Sequence, residues 1–153
     1  NHERVGLAAF SIYGLGMWDR VTQWAKSTNK GEGKVIDQPW VQTALAESYC
    51  QLEALRLMNV RMAGNLDEAS LDPAFPSAIK VYGTEVLITV YRSLMEVIGS
   101  DALLVQNSAF AVLQGDLERE YRQCQINTFG GGVNEVQKDI IARFGLQMPT
   151  MKK

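Results

Sequence analysis

The sequence predicts an all-α fold: an up-and-down four-helix bundle with an additional C-terminal helix. Three observations carry this expectation. Apolar residues recur at helical spacing through five stretches, strand-like alternation is absent, and glycine, proline, asparagine and aspartate gather in the breaks between stretches. Long helices joined by short loops pack as antiparallel neighbours. A chain of 153 residues suffices for one domain that buries about two thirds of its unfolded surface.

The first helix is expected from about Glu3 to Lys26. Val5, Ala8, Ile12 and Leu15 form one apolar stripe, and Phe10, Tyr13, Met17, Val21 and Trp24 a second. Two stripes imply two buried faces, one inside the bundle and one against another subunit. Ser27 to Asp37, with Gly31, Gly33, Lys30, Lys34 and Glu32, has the composition of a connecting loop. Asp37 and Pro39 then read as a helix start, an acidic cap followed by proline in the first turn. This second helix carries Val41, Leu45, Leu52, Leu55 and Met62 and ends at Gly64-Asn65.

Asp72-Pro73 and Pro76 open a third helix with the stripe Ile79, Tyr82, Val86, Val90, Leu94 and Val97, closed by Gly99. A fourth is expected after Ser108, with Phe110, Leu113, Leu117 and Tyr121 on its apolar side. Beyond Gly130-Gly131-Gly132 a short fifth helix carries Val133, Val136, Ile140, Ile141 and Phe144. No internal repeat or low-complexity tract interrupts the series.

Composition narrows the function classes. Seventeen acids against fifteen bases are mixed along the chain, with no basic stripe of the kind that a phosphate backbone demands, so a nucleic-acid partner is not expected. Cys50 and Cys124 have no CxxC partner and stand with the single histidine His2, which argues against a disulfide framework, a zinc site or a Ser-His-Asp hydrolase. No metal ligand set is proposed, and a reducing cytoplasm is the expected location. Asp19, Arg20, Lys80, Glu85, Arg92 and Glu96 interrupt the hydrophobic stretches before any reaches the roughly 18 residues of a membrane span. The chain starts without methionine and without a secretory leader pattern, as expected of an excerpt, residues 1–153 of a longer polypeptide whose N-terminal domains are absent.

The charged residues Glu47, Glu53, Arg56 and Arg61 fit a solvated face, and Trp18, Trp24 and Trp40 fit core or interface. The glycine run is not a dinucleotide fingerprint, since no strand precedes it. It opens a helix, where free N–H groups and the positive dipole end suit an anionic or polar ligand; a flexible linker has the same composition.

Phe129-Gly-Gly-Gly-Val-Asn-Glu-Val-Gln137, Lys138-Asp-Ile-Ile-Ala-Arg143 and Gly145-Leu-Gln-Met-Pro149 together resemble the C-terminal signature of acyl-CoA dehydrogenases. Asn1-His-Glu-Arg4 resembles the start of that family's helical domain, Lys80 to Gly99 its third bundle helix, and Glu120-Tyr-Arg122 the stretch ahead of the terminal turn. The resemblance implies a C-terminal helical-bundle domain and a flavin-dependent α,β-dehydrogenation of an acyl-CoA thioester. In that reaction a glutamate takes the α-proton and FAD takes the β-hydride. It also implies a homo- or hetero-oligomer, dimer or tetramer, of dehydrogenase subunits. The isolated domain is expected to be inactive.

One family position for the base falls here on Gly131, which has no side chain; the other, in a Glu-Arg pair, falls on Glu3. Glu3 is therefore the expected catalytic base, and it is also the residue type that a helix's first turn favours. The resemblance further places Gly99, Ser100, Val133, Asn134, Glu135 and Gln137 near the adenosine diphosphate part of FAD, across a subunit interface. Lys26 stands near the family's phosphate-binding arginine, and Glu96 where glutamine is usual. Lysine supplies charge without the bidentate fork. These departures admit a second expectation, a catalytically incomplete partner subunit of a mixed assembly. A helical interaction module with no flavin is the third.

Overall fold

The structure is a computed structural model that describes residues 8–64 and 74–149. Glu3, Val5 and the Asp72-Pro73 helix start lie outside the described residues. Helix α1 spans Ala8–Ser27, α2 Pro39–Gly64, α3 Ala74–Ile98, α4 Asp116–Cys124 and α5 Asn134–Ile140, which passes into a π-helical turn at Ile141–Gly145. The expected bundle with its additional terminal helix is what these elements form.

Helix α3 is the centre of the fold because it is apolar on nearly every side. Ile79, Val81, Val86, Leu87, Val90, Tyr91, Leu94 and Val97 are all buried, and from Val86 to Val97 these residues share one core cluster with Met17 and Val21 of α1, Leu45 and Leu52 of α2, and Leu117 of α4. Removing a side chain such as Leu52 from water stabilises the fold by about 1.5–3 kcal/mol. Close approach fixes the relative heights of the helices. A Cβ on Gly14 would fall 2.5 Å from a Leu52 methyl and 3.0 Å from one of Leu87, and a Cβ on Gly83 would fall 3.1 Å from Leu55. Trp18 Nε1 donates to Leu45 O at 2.8 Å, so α1 and α2 run antiparallel, and α3 runs parallel to α1.

The departures from the expected elements lie after α1, which has one apolar face in the bundle and another left open. On α1, Met17 and Val21 are buried with Phe10 and Trp24 packed beside them, but Ile12 and Tyr13 are 70% and 65% exposed. The helix buries one face in its own bundle and leaves a second apolar strip open. The loop after α1 is not structureless: β1 (Asn29–Lys30) and β2 (Gly33–Lys34) pair antiparallel through a turn that holds Gly31 at φ +63°. Asp37 accepts the Lys34 N–H at 2.7 Å and so closes this turn instead of capping α2, whose first residue is Pro39.

The fourth helix begins at Asp116, not after Ser108. Leu113, Gln114 and Gly115 hold φ of 51°, 61° and 75°, which no right-handed helix contains. A Cβ on Gly115 would meet Gln106 N at 2.5 Å, so the chain crosses itself there, and Phe110 is left 83% exposed. Helix α5 is turned over relative to the expected stripe: Val136 and Phe144 face outward while Asn134 and Gln137 are buried. The reason lies in α3, where a buried lysine needs polar partners.

Candidate functional site

The glycine turn is held in a shape that only glycine adopts easily. Gly131 and Gly132 lie at φ +67° and +100°. A Cβ on Gly132 would strike the Gln137 side-chain amide, whose Nε2 donates to Gly131 O at 3.3 Å. Phe129 and Gly130 N–H groups close on Ile126 O, and bonding resumes where Gln137 N–H meets Val133 O. Between them the amides of Gly131, Gly132 and Val133 have no backbone partner among the described residues, and open space lies beside Gly130 and Gly131. Val133 and Glu135 are exposed at the helix start, and Asn134 and Gln137 are buried beneath it.

A polar cluster underlies this turn. Lys80, 2% exposed, donates from Nζ to Thr128 O at 3.0 Å and to Asn134 Oδ1 at 2.5 Å. Asn134 Nδ2 in turn donates to Thr84 Oγ1 at 3.1 Å. Burial holds the Lys80 ammonium below the usual lysine range, against the opposing pull of Glu135 and Glu85.

The remaining candidate residues stand elsewhere. Gly14 of α1 packs on Leu87 of α3, and the same number of residues further along these parallel helices come Lys26 and Gly99. Lys26, Gly99 and Ser100 therefore share one end of the bundle, beyond the end of α3. Gly99 is at φ +86° with open space beside it, on a groove of about 510 Å³ lined by Arg92, Glu96, Ser100, Leu103 and Tyr121. Arg92 is held charged by its hydrogen bond to Tyr121, so the groove carries one cation and the Glu96 carboxylate. Since an α-helix rises 1.5 Å per residue, Gly99 lies roughly 28 Å along α3 from Lys80 and the turn above it. The structure brings the candidates together as two separate sets, one at each end of α3.

A third feature lies beside the glycine turn. A groove of about 540 Å³ is lined by Phe10 and Tyr13 of α1, Leu87 and Tyr91 of α3, and Glu120, Cys124 and Asn127 ahead of the turn; a smaller hollow shares Tyr13, Tyr91 and Glu120 with it. Burial pushes the Cys124 thiol up to about 11 and the Tyr91 phenol well above its usual range, so both are neutral at neutral pH. Among the described residues no cluster of three or more His, Cys, Asp or Glu could hold a metal ion, and no helix is long and apolar enough to cross a membrane.

Residues 1–146 match the family described as acyl-CoA dehydrogenase, C-terminal domain. The chain belongs to the acyl-CoA dehydrogenase family. This acyl-CoA dehydrogenase domain is 44% identical over 153 residues to the acyl-CoA dehydrogenase FadE26 of Mycobacterium tuberculosis, covering 97% of this chain and 38% of FadE26. It is 29% identical to FadE29 of the same organism, covering 100% of this chain and 38% of that protein. A solved structure described as the Tcur3481-Tcur3483 steroid ACAD superposes with a TM-score of 0.90 at 43% identity, over 97% of this chain and 38% of the other. The ChsE4-ChsE5 complex from Mycobacterium tuberculosis gives 0.85 at 44% identity, over 91% and 36%. The chain thus spans a little more than a third of the length of the curated relatives it matches.

Sequence reasoning missed Lys80, Thr84 and Thr128, and the Tyr91–Glu120 groove. The signal for Lys80 was present: a lysine inside the most apolar helix of the chain, with Thr84 four residues on and thus on the same face.

Proposed function

We propose that this chain is the domain through which a FAD-dependent acyl-CoA dehydrogenase assembles and closes one wall of its flavin and acyl pocket. The observation that carries the reading is the separation of the candidate cofactor residues into two glycine-backbone ends about 28 Å apart along α3. That span is too wide for one protomer to close both ends on the adenosine diphosphate part of one flavin. Two chains would each present one end: Val133, Asn134, Glu135 and Gln137 from one, and Lys26, Gly99 and Ser100 from the other. The bare backbone at Gly99, Gly130 and Gly131, where a side chain would otherwise stand, fits a cofactor laid against the main chain.

When bound, the flavin supplies the acceptor for a hydride from the acyl β-carbon. The chain supplies the base and the surroundings. Gly131 offers no carboxylate, so the α-proton passes to the Glu3 carboxylate. The groove between Phe10, Tyr13, Leu87 and Tyr91 receives the acyl part and keeps water from it. Its neutral phenol and thiol leave Glu120 and Arg122 as the charged groups on that wall.

A second reading draws on two-protein relatives above 40% identity, Tcur3481-Tcur3483 and ChsE4-ChsE5. In it, this chain is one of two unlike dehydrogenase subunits, and the carboxylate of Glu96 in the phosphate-facing groove explains why the second end comes from a different chain. The likeness to Tcur3481-Tcur3483, a steroid ACAD, supports a bulky polycyclic acyl group as substrate. The test is to purify the full-length protein alone and after co-expression with a neighbouring dehydrogenase-like chain. Flavin absorbance in either sample supports the reading, and its presence only in the mixed sample selects the second form. Absence of flavin from both would refute it. Glu3→Gln in the flavin-loaded protein should lower turnover by at least about a hundredfold with flavin retained, and near-normal turnover would remove Glu3 from the mechanism.

A further inference from the structure

The three glycines of the turn carry no side chain to anchor them, and an unanchored run of glycine loses more conformational entropy on ordering than any other. What fixes this segment lies at its two flanks. A single ammonium reaches both: Lys80 Nζ donates to Thr128 O, two residues before the first glycine, and to Asn134 Oδ1, two residues after the last. Thr84 holds the same Asn134 from below, its Oγ1 accepting from Nδ2.

Among the described residues no carboxylate touches that ammonium, since Glu85 pairs with Lys138 instead. A buried amine with no acid in contact is expensive, and an apolar residue of similar volume would tie α5 to α3 without that cost. The donors therefore need a purpose beyond helix packing. We propose that Lys80 is a positioning residue for the flavin: by bridging Thr128 and Asn134 it locks the glycine turn in the shape that receives the cofactor. This inference rests on the proposed flavin-binding role of the domain.

The test uses the full-length protein, with its partner chain if flavin uptake requires one, and compares Lys80→Met and Lys80→Arg with wild type. Helix content and oligomeric state establish that each variant folds. Hydrogen–deuterium exchange of residues 128–137 is read without FAD, and FAD affinity is read by titration. The inference expects Lys80→Met to fold, to exchange at least about tenfold faster across the turn, and to bind FAD at least about tenfold more weakly. Lys80→Arg, which keeps charge and donors, should recover part of both losses. In a double-mutant cycle, Lys80→Met combined with Asn134→Ala should lose little more than Lys80→Met alone, because the lysine acts through Asn134.

A folded Lys80→Met with wild-type exchange and FAD affinity overturns the inference and leaves the domain's flavin role standing. Faster exchange with unchanged affinity overturns it as well, because the turn would then be held for packing alone. If both single variants fail to fold, Lys80 is a folding residue and the inference is wrong. A wild-type protein that holds no FAD under any condition refutes the broader reading, and this inference falls with it.

Discussion

Replacing Gly132 by alanine tests the shape of the turn most sharply. The alanine must adopt φ +100°, and its Cβ falls on the Gln137 amide, so the side chain that anchors the turn to Gly131 O has to leave. The backbone conformation costs about 1–2 kcal/mol for a residue with a Cβ, and the lost hydrogen bond about 0.5–1.5 kcal/mol. Together they destabilise the turn by about 1.5–3.5 kcal/mol, and the lower figure corresponds to about a tenfold rise in local opening. Hydrogen–deuterium exchange in the full-length protein reads it at the Gln137 amide, which donates to Val133 O at 3.1 Å. Gly130→Ala is the internal control, because Gly130 has no positive φ and open space where its Cβ would stand. It should leave exchange within about threefold of wild type. Exchange in Gly132→Ala that matches the control would refute the reasoning.

Other outcomes follow from the same geometry. Leu52→Ala, at a side chain with no exposed surface against Gly14 and the α3 core, should destabilise the domain by about 2–5 kcal/mol in thermal or chemical denaturation; less than about 1 kcal/mol would contradict the packing described. Gly115→Ala should cost at least about 2 kcal/mol, because positive φ and the approach of Gln106 N act together, and a neutral thermal shift would count against the chain crossing. Cys124 and Tyr91 have folded values raised by burial, so the stability they lend to the fold is complete below the ordinary thiol value of 9.0. It falls away as pH rises toward about 11, and a denaturation series should show the loss in that window; a flat profile would contradict the burial. Val136→Asp, on the outward apolar face of α5, should leave helix content unchanged while shifting full-length protein toward smaller species in light scattering, and an unaltered assembly would free that face of any interface role.

Most of the bundle was legible because its cause is local. The stripes of α2 and α3, Pro39 at the first turn of α2 and Gly99 after α3 are written in spacing and punctuation, and the structure follows them. The misreadings arose where tertiary demands override pattern. Phe110 and Leu113 continue a helical period, but the approach of Gly115 to Gln106 imposes a left-handed stretch that periodicity cannot show. Helix α5 misled in the opposite way: its valines look like a core stripe, yet the buried ammonium of Lys80, far off in sequence, holds Asn134 inward, and Gln137 on the same face turns to Gly131 O. The candidate site was recognisable only through its resemblance to a family. Its separation into two ends of one long helix follows from packing heights, such as Gly14 against Leu87, which no single-sequence pattern contains.

The most direct test of that separation is an experimental structure of the full-length, FAD-loaded protein with its partner chain. The account predicts one flavin approached by the glycine turn of one chain and by a Gly99–Ser100 end from another. A flavin enclosed by a single chain, or one bound far from both ends of α3, would contradict it.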